Sequence, residues 1–251
     1  MQVDLRGKVA LVTGSAHRVG KSIALELARH GVHIVVNYNN TAQDVVAQTV
    51  SEIQSLGVEA LPVKADVSSP DGVSALFAQI GDAIGSLDIL VNNASIFPLG
   101  TVDQTSYADW QKTLDVNLTG PFLSTQAAAA MMRRNDPSGG VIVNICDVGT
   151  LRPWPERAAH GVSKSALWML TQTSAVTYAP DAIRVNAVMP GPVLAPAGMS
   201  EARWAKIGET QSLLGHPGTP QDVARAVAYL CQEDFLTGVL LPVNGGEHLK
   251  W

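Results

Sequence analysis

The chain has 251 residues, 46% of them hydrophobic and 16% charged, and a formal net charge of −5. This length allows one large domain or two small ones, with enough residues to build a substantial core. The acidic balance argues against nucleic acid or an anionic membrane surface as a partner, and no uninterrupted apolar run reaches membrane-spanning length. The two cysteines, Cys146 and Cys231, are far apart and lack metal-ligand spacing. We therefore expect no metal site, and reduced thiols in a cytoplasmic protein.

Patterns typical of strands and helices alternate along the whole chain. Strand-like runs cover residues 8–12, 32–36, 60–63, 88–91, 141–145, 183–188 and 239–241. Helical patterns cover residues 19–30, 44–56, 73–84, 116–132, 158–178 and 221–230, and a Pro/Gly-rich segment over 190–218 interrupts the alternation. Such alternation predicts a single doubly wound α/β domain over residues 1–251, with a parallel sheet and helices on both faces. The cofactor-binding half covers about 1–150, and the active-site and substrate segment covers about 144–218.

The first strand–helix turn contains Gly14, Arg18 and Gly20 and has the pattern of a phosphate-binding turn. Glycine permits a tight turn and a close backbone approach, and the free N–H groups of the helix face a pyrophosphate. An ordinary turn between a strand and a helix is the alternative, because glycine is common in such turns. Arg18 favours phosphate binding, since a cation in the first helical turn opposes the helix dipole unless an anion lies there.

The end of the second strand indicates which dinucleotide binds. A carboxylate at this position binds the adenine-ribose hydroxyls of NAD and repels the 2′-phosphate of NADP. The chain has the neutral run Asn37-Tyr38-Asn39-Asn40-Thr41 instead, and the first acid is Asp44. We therefore expect NADP(H) in preference to NAD(H), with His17 or Arg18 supplying positive charge.

Three residues that transfer or stabilise protons follow the fifth strand. Asp147 lies just past the strand, and His160 and Lys164 are four residues apart in a helical pattern, where such positions share a face. An acid, an imidazole and an ammonium at the open end of a parallel sheet indicate proton-transfer chemistry. For Asp147 the alternative is a helix or turn cap.

These residues resemble the short-chain dehydrogenase/reductase family over nearly the whole chain. The matching motifs are Thr13-Gly14 with Gly20, Ala65-Asp66-Val67, Asn92-Asn93-Ala94, Asp115-Val116-Asn117, Lys164 and Pro190-Gly191. The resemblance implies a Rossmann-type fold and a nicotinamide cofactor. It places Asp66 beside the adenine, Lys164 on the ribose, Pro190-Gly191 at the nicotinamide, and Asn117 on a water that relays protons to Lys164. The cofactor residues that we predict are Gly14, His17, Arg18, Val19, Gly20, Asn37, Asn39, Asn40, Thr41, Asp66, Val67, Asn93, Ala94, Lys164, Pro190 and Gly191.

Within the family the chain is most similar to the pteridine reductases. Arg18 stands where most members have a second glycine, and Asp147 stands where most have the catalytic serine. The segment from Asn93 to Pro98 resembles the one in which Ser95 would bind, and Phe97 would stack on, a pteridine ring. The substrate residues implied are Arg18, Ser95, Phe97, Asp147 and His160. A core aromatic before a proline turn is the alternative for Phe97.

The chain departs from the family at the proton donor. The family has a tyrosine four residues before the lysine, and this chain has His160. Imidazole is a competent general acid near neutral pH. The predicted catalytic residues are therefore Asp147, His160, Lys164 and Asn117.

The predicted function is that of an NADP(H)-dependent reductase that passes hydride to a C=N or C=O bond of a pteridine-like molecule. One alternative is a carbonyl or 3-oxoacyl reductase of the same family. The other is a nucleotide-binding regulator that has lost catalysis, because His160 replaces the family's tyrosine.

The helical segments 116–133 and 158–178 carry small and apolar residues beyond what one sheet face can cover. Family members pair through the corresponding helices, so the resemblance implies a homo-oligomer, either a tetramer or a dimer.

Overall fold

The computed structural model describes residues 2–196 and 198–250. Its strands are β1 (Val9–Val12), β2 (His33–Tyr38), β3 (Ala60–Lys64), β4 (Ile89–Asn92), β5 (Gly140–Ile145), β6 (Ile183–Pro190) and β7 (Leu240–Val243). Its α-helices are α1 (Arg18–Arg29), α2 (Gln43–Gln54), α3 (Pro70–Ala83), α4 (Tyr107–Leu114), α5 (Gly120–Met132), α6 (Ala158–Tyr178), α7 (Glu201–Gln211) and α8 (Pro220–Gln232).

The seven strands form one parallel sheet in the order β3-β2-β1-β4-β5-β6-β7. The predicted doubly wound α/β fold is confirmed. Strand order reverses between β1 and β4, and in such sheets ligands bind in the crevice outside the carboxyl ends of the strands at that point.

Each face of the sheet has its own apolar core. On one face, α1 and α8 bury Ile23, Leu27 and Val227 against the strands. On the other face, α3 and α5 bury Leu76 and Met132. A fully buried side chain of this size contributes about 1.5–3 kcal/mol, so the two layers hold the strand ends in fixed positions.

Two helices differ from the sequence prediction. Helix α4 begins after Ser106, whose hydroxyl accepts a hydrogen bond from Asp109 N, and a π-helical turn, Asp115–Thr119, joins it to α5. The predicted start of a helix at residue 116 is therefore wrong. Pro121 cannot donate a backbone hydrogen bond, and the widened turn precedes it in the chain.

Helix α7 lies inside the Pro/Gly-rich segment, where the sequence predicts only an interruption of the alternation. Ser200 caps it by accepting a hydrogen bond from Arg203 N. Prolines and glycines on both sides of this helix obscure its pattern. Within the described residues, no helix combines the length and apolar character needed to cross a bilayer.

Candidate active site

A cleft of about 1400 Å³ opens at the carboxyl ends of the central strands. It exceeds the roughly 300–1,000 Å³ of an ordinary small-molecule pocket and suits an extended ligand. The predicted cofactor residues that line it are Gly14, His17, Arg18, Val19, Gly20, Asn37, Asn39, Asn40, Thr41, Asp66, Val67, Asn93 and Ala94. The other predicted cofactor residues, Lys164, Pro190 and Gly191, lie outside the lining of this cleft.

The turn after β1 fits a phosphate group. Gly14 has φ of +63°, and a Cβ on Gly20 would lie 2.5 Å from both Gly14 O and Asn93 Nδ2. Ser15 Oγ is buried and has no hydrogen-bond partner among the described residues. A buried hydroxyl without a partner is costly, and this one lies in the turn whose neighbouring residues Gly14 and His17 line the cleft. Sequence reasoning did not single out Ser15.

Arg18 has a left-handed backbone conformation, with φ of +56°. This conformation costs a residue with a side chain roughly 1–2 kcal/mol, which is why glycine is favoured there. Most members of the family that the chain resembles have glycine at this position, which explains why the backbone is left-handed here. The chain has an arginine despite the strain, and this arginine lines the cleft.

The side-chain amide of Asn37 forms hydrogen bonds within the protein, so it is not free to bind a ligand. Its Oδ1 accepts from Gly14 N at 3.2 Å, and its Nδ2 donates to Ala65 O at 3.1 Å. It therefore ties the phosphate turn to the segment after β3. Thr41 Oγ1 lies 3.4 Å from His17 Nδ1, so a hydroxyl and an imidazole meet where β2 ends.

Asp66 lies at the same end of the cleft and is held as a carboxylate by its neighbours. Hydrogen bonds from Ser68, and a further one from Asn39, keep the pKa of Asp66 below its usual range.

Asp147 is both a turn cap and a member of the buried proton-transfer group. Its Oδ1 accepts a hydrogen bond from Gly149 N at 2.8 Å, capping the short turn Val148–Thr150. Its Oδ2 contacts His160 Nε2. Asp147 therefore does both things that the sequence allowed. Its Oδ1 caps the turn, and its Oδ2 contacts His160.

Both ring nitrogens of His160 have polar neighbours. Nδ1 lies 2.9 Å from Ile96 O, to which it can donate, and 3.3 Å from Asn117 Nδ2. His160 Nε2 faces Asp147 Oδ2, and a hydrogen bond between these two atoms requires one proton. The His160 side chain is 3% exposed and that of Asp147 is 19% exposed, so Asp147 is the more open member of the pair.

Asn117 is fully buried and connects the site to the segment that precedes Phe97. Its Oδ1 accepts from Ile96 N at 2.9 Å, and its Nδ2 donates to Ile96 O at 3.0 Å and Ser163 Oγ at 3.1 Å. Ser95 Oγ also donates to Asn117 Oδ1, at 3.1 Å. The predicted water-holding role of Asn117 stays a prediction.

Lys164 is buried, and its ammonium donates to Ile145 O at 2.7 Å. Burial lowers the pKa of Lys164, and the charge of Asp147 opposes that change. The neighbouring Cys146 is also buried, which raises its pKa to about 11. Cys146 is thus a packed, protonated thiol.

Phe97 is 45% exposed, which argues against the core-aromatic alternative. Its ring makes edge contacts with His160 and Trp154, at centroid separations of 4.5 and 5.1 Å. The guanidinium carbon of Arg157 lies 3.9 Å from the ring centre, and Arg157 Nη1 donates to Phe97 O at 2.6 Å. Sequence reasoning missed Trp154 and Arg157 because no local pattern links them to residue 97.

The site has the features expected of a nicotinamide-dependent oxidoreductase. These are a glycine turn at the strand-order reversal, a cleft large enough for a dinucleotide and an acid–imidazole pair. Residues 14–248 match the family profile described as enoyl-(acyl carrier protein) reductase. The chain belongs to the short-chain dehydrogenase/reductase family.

Named relatives support this membership. The chain is 39% identical to 3beta-hydroxysteroid dehydrogenase 1 of Eggerthella lenta, over 98% of this chain and 95% of that protein. It is 35% identical to glucose 1-dehydrogenase 2 of Bacillus subtilis, over 98% and 96%. A blue fluorescent protein from a metagenomic library, solved with NADPH, superposes with a TM-score of 0.89 at 32% identity, covering 98% of this chain and 99% of that one. None of these three is named as a pteridine reductase, so the pteridine substrate stays a prediction.

Proposed function

We propose that the protein is an NADP(H)-dependent reductase that transfers hydride to a C=N or C=O bond of a pteridine-like molecule. The observation that carries this proposal is the contact between the Asp147 carboxylate and the His160 ring, next to the half-exposed ring of Phe97. The nicotinamide, when bound, supplies the hydride. A flat substrate would gain offset stacking on Phe97, whose ring Arg157 already orients.

The Asp147–His160 pair would supply the proton that accompanies the hydride. His160 is the more buried member and its Nδ1 faces Ile96 O, so a proton between Nε2 and Oδ2 would be the transferable one. Asp147 would present it to the substrate, and His160 would hold the carboxyl in place. Lys164 would fix the cofactor ribose.

The NADP(H) preference rests on the end of β2. No carboxylate stands there among Asn37 to Thr41, and His17 and Arg18 line the same part of the cleft. The relative solved with NADPH supports the same choice.

A second candidate is oxidation or reduction of an alcohol or ketone on an aliphatic ring. The relative named as a 3beta-hydroxysteroid dehydrogenase favours it. Phe97 and Trp154 offer an aromatic surface that accepts either a flat heterocycle or a saturated ring.

Two further properties belong to the proposal. We propose a cytoplasmic enzyme, since both cysteines are free thiols. We also propose a homo-oligomer, a tetramer or a dimer, assembled through α5 and α6.

The test is turnover with NADPH, followed by the loss of cofactor absorbance. We expect 7,8-dihydropterin to be reduced, and Asp147→Asn to lower turnover by roughly 10²–10⁴ without changing NADPH affinity. Turnover of a 3-oxosteroid but no pterin would favour the second candidate. NADPH binding without turnover of either would favour the non-catalytic regulator.

A further inference from the structure

The C-terminal turn brings an acidic residue to the end of β6. Strand β7 pairs with β6, and Gly191 N donates to Val243 O at 3.1 Å. Gly245 and Gly246 follow with φ of +57° and +80°, a conformation that suits glycine. They turn the chain so that Glu247 lies against Gly191.

The side chain of Glu247 is largely buried, but its carboxylate oxygens are not sealed from solvent. The residue is 5% exposed, and a Cβ on Gly191 would lie 2.8 Å from Glu247 Oε2. None of the described residues donates a hydrogen bond to this carboxylate or forms an ion pair with it. A nearby positive charge stabilises a carboxylate, so a cationic ligand would bind favourably beside Glu247.

Charged groups face Glu247 from each neighbouring segment. They are Arg152 after β5, Lys250 in the C-terminal tail, and Asp147. The cations are committed elsewhere, because Arg152 Nη1 donates to Lys250 O at 2.6 Å and Lys250 Nζ donates to Ser212 O at 2.8 Å. Burial raises the pKa of Glu247 to about 7, with Arg152 and Lys250 opposing the rise and Asp147 adding to it.

The order of the strands indicates where a bound cofactor would lie relative to the carboxyl of Glu247. The phosphate turn follows β1, and β4, β5 and β6 lie successively beyond it, about 4.8 Å apart. The half of a dinucleotide beyond the phosphates would therefore reach the ends of β5 and β6, where Asp147 and Gly191 lie. A nicotinamide ring is cationic when oxidised and neutral when reduced.

We propose that Glu247 sets the redox-state preference of the cofactor site, its carboxylate favouring the oxidised, cationic ring over the reduced, neutral one. This inference rests on the nicotinamide cofactor of the proposed function. Glu247 is protonated below neutral pH and ionised above it. The preference for the oxidised form should therefore grow as pH rises through about 7.

The test compares dissociation constants of NADP⁺ and NADPH by fluorescence and calorimetry, from about one pH unit below 7 to one unit above. NADP⁺ and NADPH carry the same phosphates, so the ratio of their dissociation constants reports the interaction with the nicotinamide ring. In the native protein we expect the ratio to shift roughly 3–10-fold towards NADP⁺ as pH rises. Glu247→Gln, which keeps the shape, should flatten this dependence.

Two further variants test whether the pH dependence comes from Glu247. Glu59→Gln makes the same change at an exposed site before β3, at the opposite edge of the sheet, and should behave like the native protein. Arg152→Met removes a cation that favours ionised Glu247, so it should move the transition to higher pH. A ratio with the same pH dependence in Glu247→Gln and the native protein would overturn the role of Glu247. Failure of both nucleotides to bind would overturn the cofactor proposal as well.

Discussion

At the residue scale, the side chains of His160 and Asp147 are in direct contact, so we expect their effects on catalysis to be interdependent. We expect His160→Phe to lower turnover by roughly 10²–10⁴, the usual contribution of a general acid. Asp147→Asn should cost about as much, and the double variant little more, because either change removes the same proton path. Steady-state kinetics on all three variants measures this, with NADPH affinity as the control. Independent, additive losses would show that the two residues act separately.

Arg18 combines a strained backbone with a position in the cofactor cleft. Arg18→Gly should raise the free energy of unfolding by up to about 1 kcal/mol, because relief of about 1–2 kcal/mol exceeds the entropy cost of glycine. NADPH affinity should fall by about tenfold, since a cation near the phosphates is lost. Arg18→Ala is the matched control, because it loses the charge but keeps the strain. Denaturant unfolding and fluorescence titration measure the two effects, and unchanged affinity in both variants would contradict the cofactor role.

At the element scale, the ammonium of Lys250 holds the end of α7, donating to Thr210 O at 2.9 Å and Ser212 O at 2.8 Å. Cations at a helix C-terminus satisfy its free carbonyls. Lys250→Met should therefore increase hydrogen exchange over 201–211 while the sheet stays protected. Lys206→Met, which removes a surface cation paired with Glu209, is the control. Equal exchange in the two variants would show that the tail does not anchor α7.

The positions of most helices and strands could be predicted from the sequence. Helix α6 has its predicted bounds, and the strands lie within a few residues of their predicted positions, because periodicity and turn residues are local signals. Helices α4 and α7 were missed, although Ser106 and Ser200 are recognisable N-caps. Proline and glycine on both sides of α7 masked its pattern.

The candidate site likewise contains residues that local patterns predict and contacts that they do not. Motif positions such as Gly14 and Asp147 could be found from spacing, whereas the contacts of Arg157 and Glu247 join segments far apart in the chain. Nothing local to Glu247 indicates that it packs on Gly191, since that contact depends on the pairing of β6 with β7.

At the scale of the whole molecule, α6 carries an apolar stripe opposite its buried face. Val162, Met169 and Val176 are seven residues apart and 48%, 61% and 80% exposed. Residues at this spacing lie on one side of a helix. Phe122 on the neighbouring α5 is 43% exposed. Contiguous exposed apolar surface of this kind favours association, and a closed symmetric oligomer would cover it.

Met169→Glu places a charge in the middle of this stripe and should shift the oligomer towards smaller species. Burying a side chain of this size contributes about 1.5–3 kcal/mol, so its loss should weaken association by at least roughly tenfold. Light scattering over a micromolar concentration series measures the change. Leu56→Glu, the same kind of substitution at an exposed position after α2, should leave the assembly intact. A native protein that is monomeric at micromolar concentration, or equal dissociation in the two variants, would contradict assembly through α6.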